Sequence, residues 1–295
     1  MALSSLSVLS DDELELVFKG ICNPFDPRVA MAFGTVSRWM YATTQVAQQQ
    51  LRAQNEAAIA LCLKAGIPSC KQLREATTAR WINLVELTVA ELAMLGAMGS
   101  VVPALKSLYL FDNDVASEGV RRLVEGLGSG ALPAVTRLVL GSMQMGDAGA
   151  AALAAALGRG ALPRLEALSL ADNNISDAGL VALAPAMRRL SALKQLWLVD
   201  NPIGDRGLAA LVAPPLTAAL TRLEVLNVDR TQITDAGCAT LMSALNRDHL
   251  VMPALERVLM VGSAASAAMR VAVREALLAR ERARRQRSVD VSRRV

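Results

Sequence analysis

Few side chains in this sequence are suited to catalysis. His249 is its only histidine, and it lies in the polar stretch Asn246–His249. A mechanism in which histidine activates a serine or cysteine nucleophile would have to use this residue. A histidine in such a polar loop is more often a solvated side chain than a general base. We therefore predict no catalytic residue and no enzymatic activity.

The four cysteines do not spell out a metal site or a redox centre. Cys22, Cys62, Cys70 and Cys238 include no pair at CxxC spacing, the spacing typical of such sites. Their leucine and alanine neighbours favour buried free thiols in a reducing compartment. The sequence also lacks GxxxxGK[ST] and HExxH motifs, which would indicate phosphate or zinc binding. We expect no metal and no cofactor.

Composition limits the class of protein. The 295 residues suffice for one large domain or two small ones, and 53% hydrophobic with 20% charged residues argues against disorder. No apolar run reaches the roughly 20 residues of a membrane helix. Acidic residues follow the N-terminus too soon for a secretory signal. We expect a soluble cytoplasmic protein that does not bind membranes, with the nucleus as the alternative location.

Positive charge is concentrated at the C-terminal end. Residues 266–295 contain nine arginines and three acidic residues. Such a segment can bind an acidic partner or RNA, but it has no aromatic residue that would stack on bases. We predict a solvated basic helix and tail, and we expect nucleic-acid binding only through this segment.

A repeat of about 30 residues organises residues 104–265. Its Leu-x-x-Leu-x-Leu pattern starts at six anchors, spaced 28 to 32 residues apart: Leu105, Val135, Leu165, Leu193, Leu223 and Leu255. Further columns keep this register, with asparagine eight positions after the anchor in three copies and glycine fourteen after it in five. The leucines with period two predict a short strand, and the alanine-rich stretch after the glycine predicts a helix. Stacked units of this kind bury a continuous core.

An aspartate precedes the glycine by two residues in four copies: Asp147, Asp177, Asp205 and Asp235. This is the position expected of a helix N-cap, so we predict that each aspartate caps its own helix. Pro214 and Pro215 predict that the fourth helix ends early. The sixth copy lacks the glycine and is predicted to be a cap.

The pattern resembles the leucine-rich repeat of the ribonuclease-inhibitor type, which has long repeats and a full helix in each unit. The resemblance implies an α/β fold, a leucine-rich repeat solenoid with parallel strands on the concave side and helices on the convex side. Met143 and Thr231 depart from the asparagine column, and Pro215 replaces a helix leucine. The resemblance also implies binding of a partner protein on the concave face.

Side chains between the inward leucines must face solvent on the strand side. Three of the nine aromatic residues, Tyr109, Phe111 and Trp197, occupy these outward positions, and aromatic side chains often anchor interfaces. The alternative is that they pack against the N-terminal segment or a loop. The predicted partner-binding residues are Tyr109, Phe111, Arg137, Trp197, Gln195, Asn227, Asp229 and Arg257. A mildly negative rim is predicted from Asp112, Asp172, Asp200 and Asp229.

Residues 1–80 contain helix-forming sequence without the repeat register. Helical sequence extends from Pro27 to about Ala65 and is compatible with two helices. A degenerate capping repeat follows at 81–103, in which Leu84, Leu87, Leu92 and Leu95 are expected to be apolar contacts. The predicted domains are an N-terminal helical module at 1–80, the capping repeat, six repeats at 104–265, and the basic helix and tail at 266–295.

The segment 9–39 also resembles an F-box, a helical module with an LPxxL-like start and a V-C/S-x-x-W-like end. The matching positions are Leu9, Leu14, Phe18, Ile21, Val36 and Trp39. Ser10 replaces the usual proline, and Trp39 comes one residue early. The resemblance implies docking to a Skp-type adaptor of a ubiquitin ligase. The alternative is a helical cap in which the same residues form a private core.

The sequence therefore favours a non-enzymatic scaffold that binds a partner protein on the concave repeat face. One alternative is an F-box-type substrate receptor of a Cullin-RING ubiquitin ligase. A second is a ribonuclease-inhibitor-like or RNA-associated protein, although such inhibitors are cysteine-rich and this chain has four cysteines. The sequence does not predict the identity of the partner or the oligomeric state.

Overall fold

The computed structural model describes residues 22, 27–34, 38–64, 66, 82–84, 86–97, 105–113, 115–213, 220–247 and 251–292. The chain divides into two compact units, Met1–Thr78 and Ala79–Val295. The finer domain boundaries given above stay predictions.

In the described part of the first unit lie the helices α1 (Arg28–Gly34) and α2 (Arg38–Lys64), which agree with the predicted helical stretch and its division. Ala30 and Leu51 form a small buried core, with Cys22 and Ala47 packed against it. Within α2, the amide of Gln48 donates a hydrogen bond of 2.9 Å to the hydroxyl of Thr44, and both side chains are buried.

In the second unit, strands alternate with helices. In chain order the elements are β1 (Ile82–Leu84), α3 (Val89–Ala97), β2 (Ser107–Phe111), α4 (Ala116–Glu125), β3 (Arg137–Gly141), α5 (Gly146–Gly158), β4 (Ala167–Ser169), α6 (Asp177–Met187), β5 (Gln195–Trp197), α7 (Asp205–Val212), β6 (Val225–Asn227), α8 (Asp235–Arg247), β7 (Arg257–Leu259) and α9 (Ala267–Ser292).

The strands form one parallel sheet in which spatial order equals chain order, from β1 to β7. Equivalent residues of successive repeats pair directly, so that Leu108 lies beside Leu138 and Leu138 beside Leu168. This register is the one that the leucine spacing predicts. The predicted fold class, an α/β solenoid of leucine-rich repeats with strands on one side and helices on the other, is confirmed.

The core lies between the sheet and the helices. The inward leucines of the central repeats, Leu168, Leu170, Leu196 and Leu198, are completely buried. Alanines on α5 face the same core, where Ala150 and Ala156 are buried. Small helix residues allow the helices to approach the strands closely, which explains the alanine-rich composition of the repeats.

The burial of the leucines before the first repeat and the length of α7 agree with what the sequence indicates. The leucines of the degenerate first repeat, Leu84, Leu87, Leu92 and Leu95, are buried on β1, α3 and the turn between them. Helix α7 ends at Val212, after eight residues, whereas α8 has thirteen. Proline lacks the backbone N–H that a helix needs, so Pro214 and Pro215 account for the early end.

The basic C-terminal segment forms helix α9, as predicted. Arg280 donates hydrogen bonds to the backbone carbonyls of Val251 and Met252, and Arg284 donates to that of Pro253. These arginines therefore attach α9 to the segment before β7. None of the helices that the structure describes has an apolar stretch long enough to reach across a bilayer.

Candidate functional site

The turns that follow the strands are fixed by buried asparagines. The Asn201 side chain is almost fully buried, and its Oδ1 accepts hydrogen bonds from the backbone N–H groups of Asn173 and Ile175 at 3.2 and 2.9 Å. Its Nδ2 donates to the carbonyl of Leu170 at 2.8 Å and to two carbonyls of its own turn. Asn113 and Asn173 bond to the preceding repeat in the same way. The asparagines thus satisfy backbone groups of the turns where the strands end, and their bonds run between repeats.

The aspartate column behaves differently from the prediction. Asp177 is the first residue of α6 and does not cap it, because the N-cap is Ser176, whose hydroxyl accepts from the N–H of Ala178. Oδ1 of Asp177 instead accepts from the backbone N–H groups of Gly204 and Gly207 at 2.7 and 2.8 Å. Asp147, Asp205 and Asp235 likewise bond to the next repeat. Each aspartate thus caps the following helix, not its own.

Three members of the glycine column fit this arrangement. A Cβ at Gly207 would lie 2.7 Å from Oδ1 of Asp177, closer than side chains tolerate. At Gly179 and Gly237, a Cβ would overlap with the carboxylates of Asp147 and Asp205. These three glycines therefore make room for the capping carboxylate of the preceding repeat. At Gly119 and Gly149, a Cβ would instead meet the side chains of Val115 and Met145.

Most residues of the predicted acidic rim lie in the turns after the strands and stabilise them. Asp112, Asp172 and Asp200 follow their strands in the left-handed backbone conformation, with φ of 55°, 53° and 55°, which aspartate tolerates better than most residues. The carboxylate of Asp200 pairs with the guanidinium of Arg230, which lowers the pKa of Asp200. Asp229 accepts a hydrogen bond from the N–H of Val261. These acids are explained by the turns they stabilise.

We define the strand face as the side chains that β2–β7 direct away from the helices. The strand register arranges them in rows that cross the sheet. The first row is Ser107, Arg137, Ala167, Gln195, Val225 and Arg257. The central row is Tyr109, Val139, Ser169, Trp197, Asn227 and Leu259.

A cleft with a volume of about 270 Å³ lies on the strand face across β2–β5. Its side-chain walls and floor come from the two rows: Tyr109, Arg137, Val139, Ala167, Ser169, Gln195 and Trp197. The ring of Trp197 is 37% exposed. The guanidinium of Arg137 donates a long hydrogen bond of 3.4 Å to the hydroxyl of Tyr109. Four of the predicted partner-binding residues therefore meet at one cleft: Tyr109, Arg137, Gln195 and Trp197.

The other predicted partner-binding residues lie apart from the cleft. Phe111 is half-buried at the end of β2, Asp229 is used in a turn, and Arg257 is exposed on β7. Asn227 does not have the exposed side chain that was predicted for it, because it is only 3% exposed. Its Oδ1 accepts a hydrogen bond from the backbone N–H of Asp229 at 2.9 Å, so it serves the turn after β6.

Sequence reasoning did not single out the floor of the cleft. Ala167 and Ser169 are the outward residues of β4, and Val139 forms part of the wall beside them. The available signal was the pair of small residues at successive outward positions of one strand, next to strands that carry larger ones. Such a pair produces a depression in an otherwise even row of side chains.

The remaining chemistry-bearing residues do not form a second site in the part of the chain that the structure describes. The thiols of Cys62 and Cys238 are buried, and neither forms a disulfide. Burial, with Asp235 nearby, raises the pKa of Cys238, and burial raises that of Cys22. A raised pKa keeps a thiol protonated and poorly nucleophilic. His249 and Cys70 lie outside the described residues, and no group of potential metal ligands occurs within them.

The residues of the F-box resemblance also fall largely outside the described part. Leu9, Leu14, Phe18, Ile21 and Val36 lie outside it. Trp39 lies in α2, but the position of its side chain is not described. Docking of an adaptor through these residues stays a prediction.

Comparisons with known proteins support the assignment of the repeats. A family model described as leucine-rich repeat matches residues 103–124, 162–184 and 191–212, which cover parts of the first, third and fourth copies. These segments are therefore leucine-rich repeats. The match does not distinguish the ribonuclease-inhibitor type from others. A comparison with curated protein sequences gives no match.

Solved structures with weak similarity include two of interest. One is a chain of the octameric complex of Latrophilin 3, Unc5D and FLRT2, in which FLRT2 contributes its LRR part; it is 19% identical over 64% of this chain and 47% of that chain, with a TM-score of 0.37. The other is an internalin, InlF, from Listeria monocytogenes, 16% identical over 68% of this chain and 67% of that one, with a TM-score of 0.32. The match thus spans about half the length of the first chain.

Proposed function

We propose that this protein is a non-enzymatic scaffold that binds a partner protein on its strand face. The observation that carries the proposal is the cleft across β2–β5, where Tyr109, Arg137 and Trp197 come together. Exposed tryptophan, tyrosine and arginine side chains around a depression are typical of the residues that dominate protein interfaces. Because the backbone of a solenoid is rigid and repetitive, such a surface is available without rearrangement.

The experiment is affinity purification of the tagged full chain from an extract of its source cells, with bound proteins identified by mass spectrometry. Trp197→Ala removes the largest exposed side chain of the cleft, and we expect it to reduce recovery of a strand-face partner at least about tenfold. Leu278→Ala is the control, because Leu278 is similarly exposed, at 44%, but lies on α9. Equal recovery with parent and Trp197→Ala would contradict binding at this cleft.

The more specific hypothesis, a substrate receptor of a Cullin-RING ubiquitin ligase, is tested in the same purification. Leu14→Asp would place a charge in the apolar surface that an F-box-like module uses to dock its adaptor. Under this hypothesis, a Skp-type adaptor and a cullin are recovered with the parent and lost with Leu14→Asp, while the strand-face partner is retained. Their absence from the parent sample would leave the N-terminal unit as a cap.

The ribonuclease-inhibitor-like or RNA-associated hypothesis depends on the basic tail. Three of its arginines already contact backbone carbonyls of this chain, namely Arg270, Arg280 and Arg284, which reduces what the tail can offer to RNA. RNA binding through residues 266–295 would weaken steeply as salt is raised. A salt titration of the full chain with a labelled single-stranded RNA measures this, with Arg282→Glu and Arg285→Glu as variants of exposed positions.

A further inference from the structure

We infer that the strand-face cleft accepts one bulky apolar side chain of a partner segment, and that a carboxylate next to that side chain pairs with Arg137. This inference rests on the proposed function and adds the chemistry of the partner. The occupant is a protein segment that carries a large aliphatic or aromatic residue beside an aspartate or glutamate.

The size of the depression sets the size of the inserted group. Ala167 and Ser169 form its floor on β4, while Val139 on β3 and Trp197 on β5 rise on either side. Neighbouring strands lie about 4.8 Å apart, so the two walls stand on strands about 10 Å apart. A gap of this width fits one side chain. It is too narrow for a whole helix, whose diameter with side chains is about 10–12 Å.

The surface of the depression is mainly apolar. The indole of Trp197, the isopropyl group of Val139 and the methyl group of Ala167 line it, and Tyr109 closes the side beyond β3. A leucine, methionine or phenylalanine inserted here would lose its contact with water, and would cover part of Trp197, which is now exposed. A charged or small side chain would gain little.

The electrostatic part of the inference comes from Arg137. It is exposed at the edge of the cleft, and the polar contact that its guanidinium makes in the described part of the chain is the 3.4 Å hydrogen bond to Tyr109. Two other cations near the strand ends are paired with carboxylates, since Lys194 pairs with Glu166 at 2.9 Å and Arg230 pairs with Asp200. Arg137 is therefore available for a carboxylate, which its guanidinium can bind with two parallel hydrogen bonds.

The position of Arg137 places the carboxylate next to the inserted side chain. Arg137 and Ala167 are paired across β3 and β4 in the first row, and Val139 and Ser169 are paired in the central row two residues on. Arg137 thus lies directly beside the floor residue Ala167 and two residues along the sheet from the level of Ser169. A single short segment can reach both, so we expect adjacent or nearly adjacent apolar and acidic residues in the partner.

The probe for this inference is a phage-displayed library of random dodecapeptides, selected on the immobilised full chain. We expect the enriched peptides to share a large apolar residue within two positions of an aspartate or glutamate. Synthetic copies of the enriched peptides are then titrated by fluorescence anisotropy against the parent chain and four variants, each first checked by circular dichroism for an unchanged thermal transition.

Two variants alter the cleft and two are matched controls. Arg137→Glu reverses the available cation, and Arg257→Glu makes the same change in the same row, on β7 and outside the cleft. Ser169→Leu fills the depression, and Ala178→Leu adds similar bulk at an exposed position on the helix side. We expect Arg137→Glu and Ser169→Leu each to raise the dissociation constant at least about tenfold, and the controls to change it less than about twofold.

Several results would overturn the inference. They are enriched peptides without an acidic residue, peptides whose binding survives both Arg137→Glu and Ser169→Leu, and a selection that enriches no peptide. Capture of the partner from cell extract by the variants separates this inference from the proposed function. If Trp197→Ala abolishes capture of the partner while Arg137→Glu does not, the strand face still binds a protein but the acidic chemistry is wrong. If neither change affects capture, both are wrong.

Discussion

The turns that follow the strands and the strand face differ in how regular they are. The turn residues make similar contacts in successive copies, whereas the strand-face residues vary from copy to copy. In the turns, Asn201 and Asp177 make the same kinds of hydrogen bond as their equivalents one repeat away. On the strand face, the equivalent positions of the central row range from Ser169 to Trp197. The columns that repeat hold neighbouring units together, and the columns that vary produce a surface feature at one place.

This difference explains how the cleft arises without weakening the fold. A change of an outward side chain on β2–β5 alters no inward leucine and no turn hydrogen bond, because successive strand residues point to opposite faces; on β6, by contrast, the outward Asn227 serves the turn. The repeat can therefore carry small residues on β4 and a tryptophan on β5 at little cost in stability. Substitutions in the repeated columns should lower stability most, whereas substitutions of the outward residues that line the cleft should affect mainly binding.

The strongest effect on stability is expected at Asn201. Replacing it with alanine leaves the backbone N–H groups of Asn173 and Ile175 buried without an acceptor, and frees the carbonyl of Leu170. Unsatisfied buried groups cost about 1–3 kcal/mol each, so we expect Asn201→Ala to lower the free energy of unfolding by about 4 kcal/mol. Urea denaturation followed by circular dichroism measures the change.

A matched control for Asn201 is available in the same column. Thr231 makes a single side-chain hydrogen bond, of 2.7 Å to the carbonyl of Val228. Thr231→Val keeps its shape and should cost about 1 kcal/mol. If the two substitutions cost the same, the bonds between repeats would not be what distinguishes the asparagine.

The next largest effect concerns the two faces of one part of the sheet. Leu168 on β4 is completely buried beneath the cleft, and Leu168→Ala should lower stability by about 3 kcal/mol through lost burial and a remaining cavity. Val139 on β3 is half-buried and faces outward, so Val139→Ala should cost less than about 1 kcal/mol. Thermal and urea unfolding of both variants compare the faces directly. Similar losses would mean that the outward row is part of the core.

A third prediction concerns the coupling of the aspartate and glycine columns. Gly207→Ala would press a methyl group against Oδ1 of Asp177, with a second close contact of 3.1 Å to Cγ2 of Ile203. Overpacking of this kind costs about 2 kcal/mol. Asp177→Ala removes the hydrogen bonds to Gly204 and Gly207 and should cost about 1 kcal/mol.

The double variant Asp177→Ala with Gly207→Ala distinguishes the proposed contact from a general sensitivity of the helix. Without the carboxylate, the methyl group has more room, and alanine is a better helix former than glycine. We expect the double variant to be more stable than the sum of the single changes predicts, by about 1 kcal/mol. Additive losses would show that the carboxylate is not the reason for the glycine.

The leucine spacing was sufficient to predict the strands, their order and their register, because a buried parallel sheet with direct pairing follows from identical units stacked side by side. Leu108, Leu138 and Leu168 occupy the paired positions that their spacing predicted. The early end of α7 was also predictable, since Pro214 acts on its own neighbours in the chain.

The target of the capping carboxylates was not predictable from the same local pattern. Asp177 satisfies the usual rule for an N-cap two residues before Gly179, but it bonds to Gly204, which lies 27 residues later. A local rule does not distinguish a helix from its neighbour in space. Likewise, the outward position of Asn227 predicted exposure, and its actual burial depends on what surrounds it across the sheet.

The proposed binding site was predictable only in part for a related reason. Aromatic and charged residues at outward positions drew attention to Tyr109, Arg137 and Trp197, which do line the cleft. The depression is formed by small side chains, and the residue types of Ala167 and Ser169 do not by themselves indicate binding. Their importance appears only when the rows of neighbouring strands are placed side by side.

The smallest effect is expected at the turn pair between Asp200 and Arg230, which lies on the exposed rim next to the strand face. The guanidinium lowers the pKa of Asp200 below that of an ordinary aspartate. The ion pair therefore contributes stability above the pKa of the unfolded aspartate, and this contribution disappears as the pH falls through the lower pKa of the folded state. Arg230→Ala should return the pKa of Asp200 towards its usual range, as measured by NMR titration of its carboxyl carbon.

The same variant tests how much the ion pair contributes to stability. Because both groups are exposed and screened by salt, Arg230→Ala should hardly change the midpoint of thermal unfolding at neutral pH. A large loss of stability would mean that exposed charges next to the strand face also hold the repeats together. Stability would then depend on more than the turn hydrogen bonds and the buried leucines.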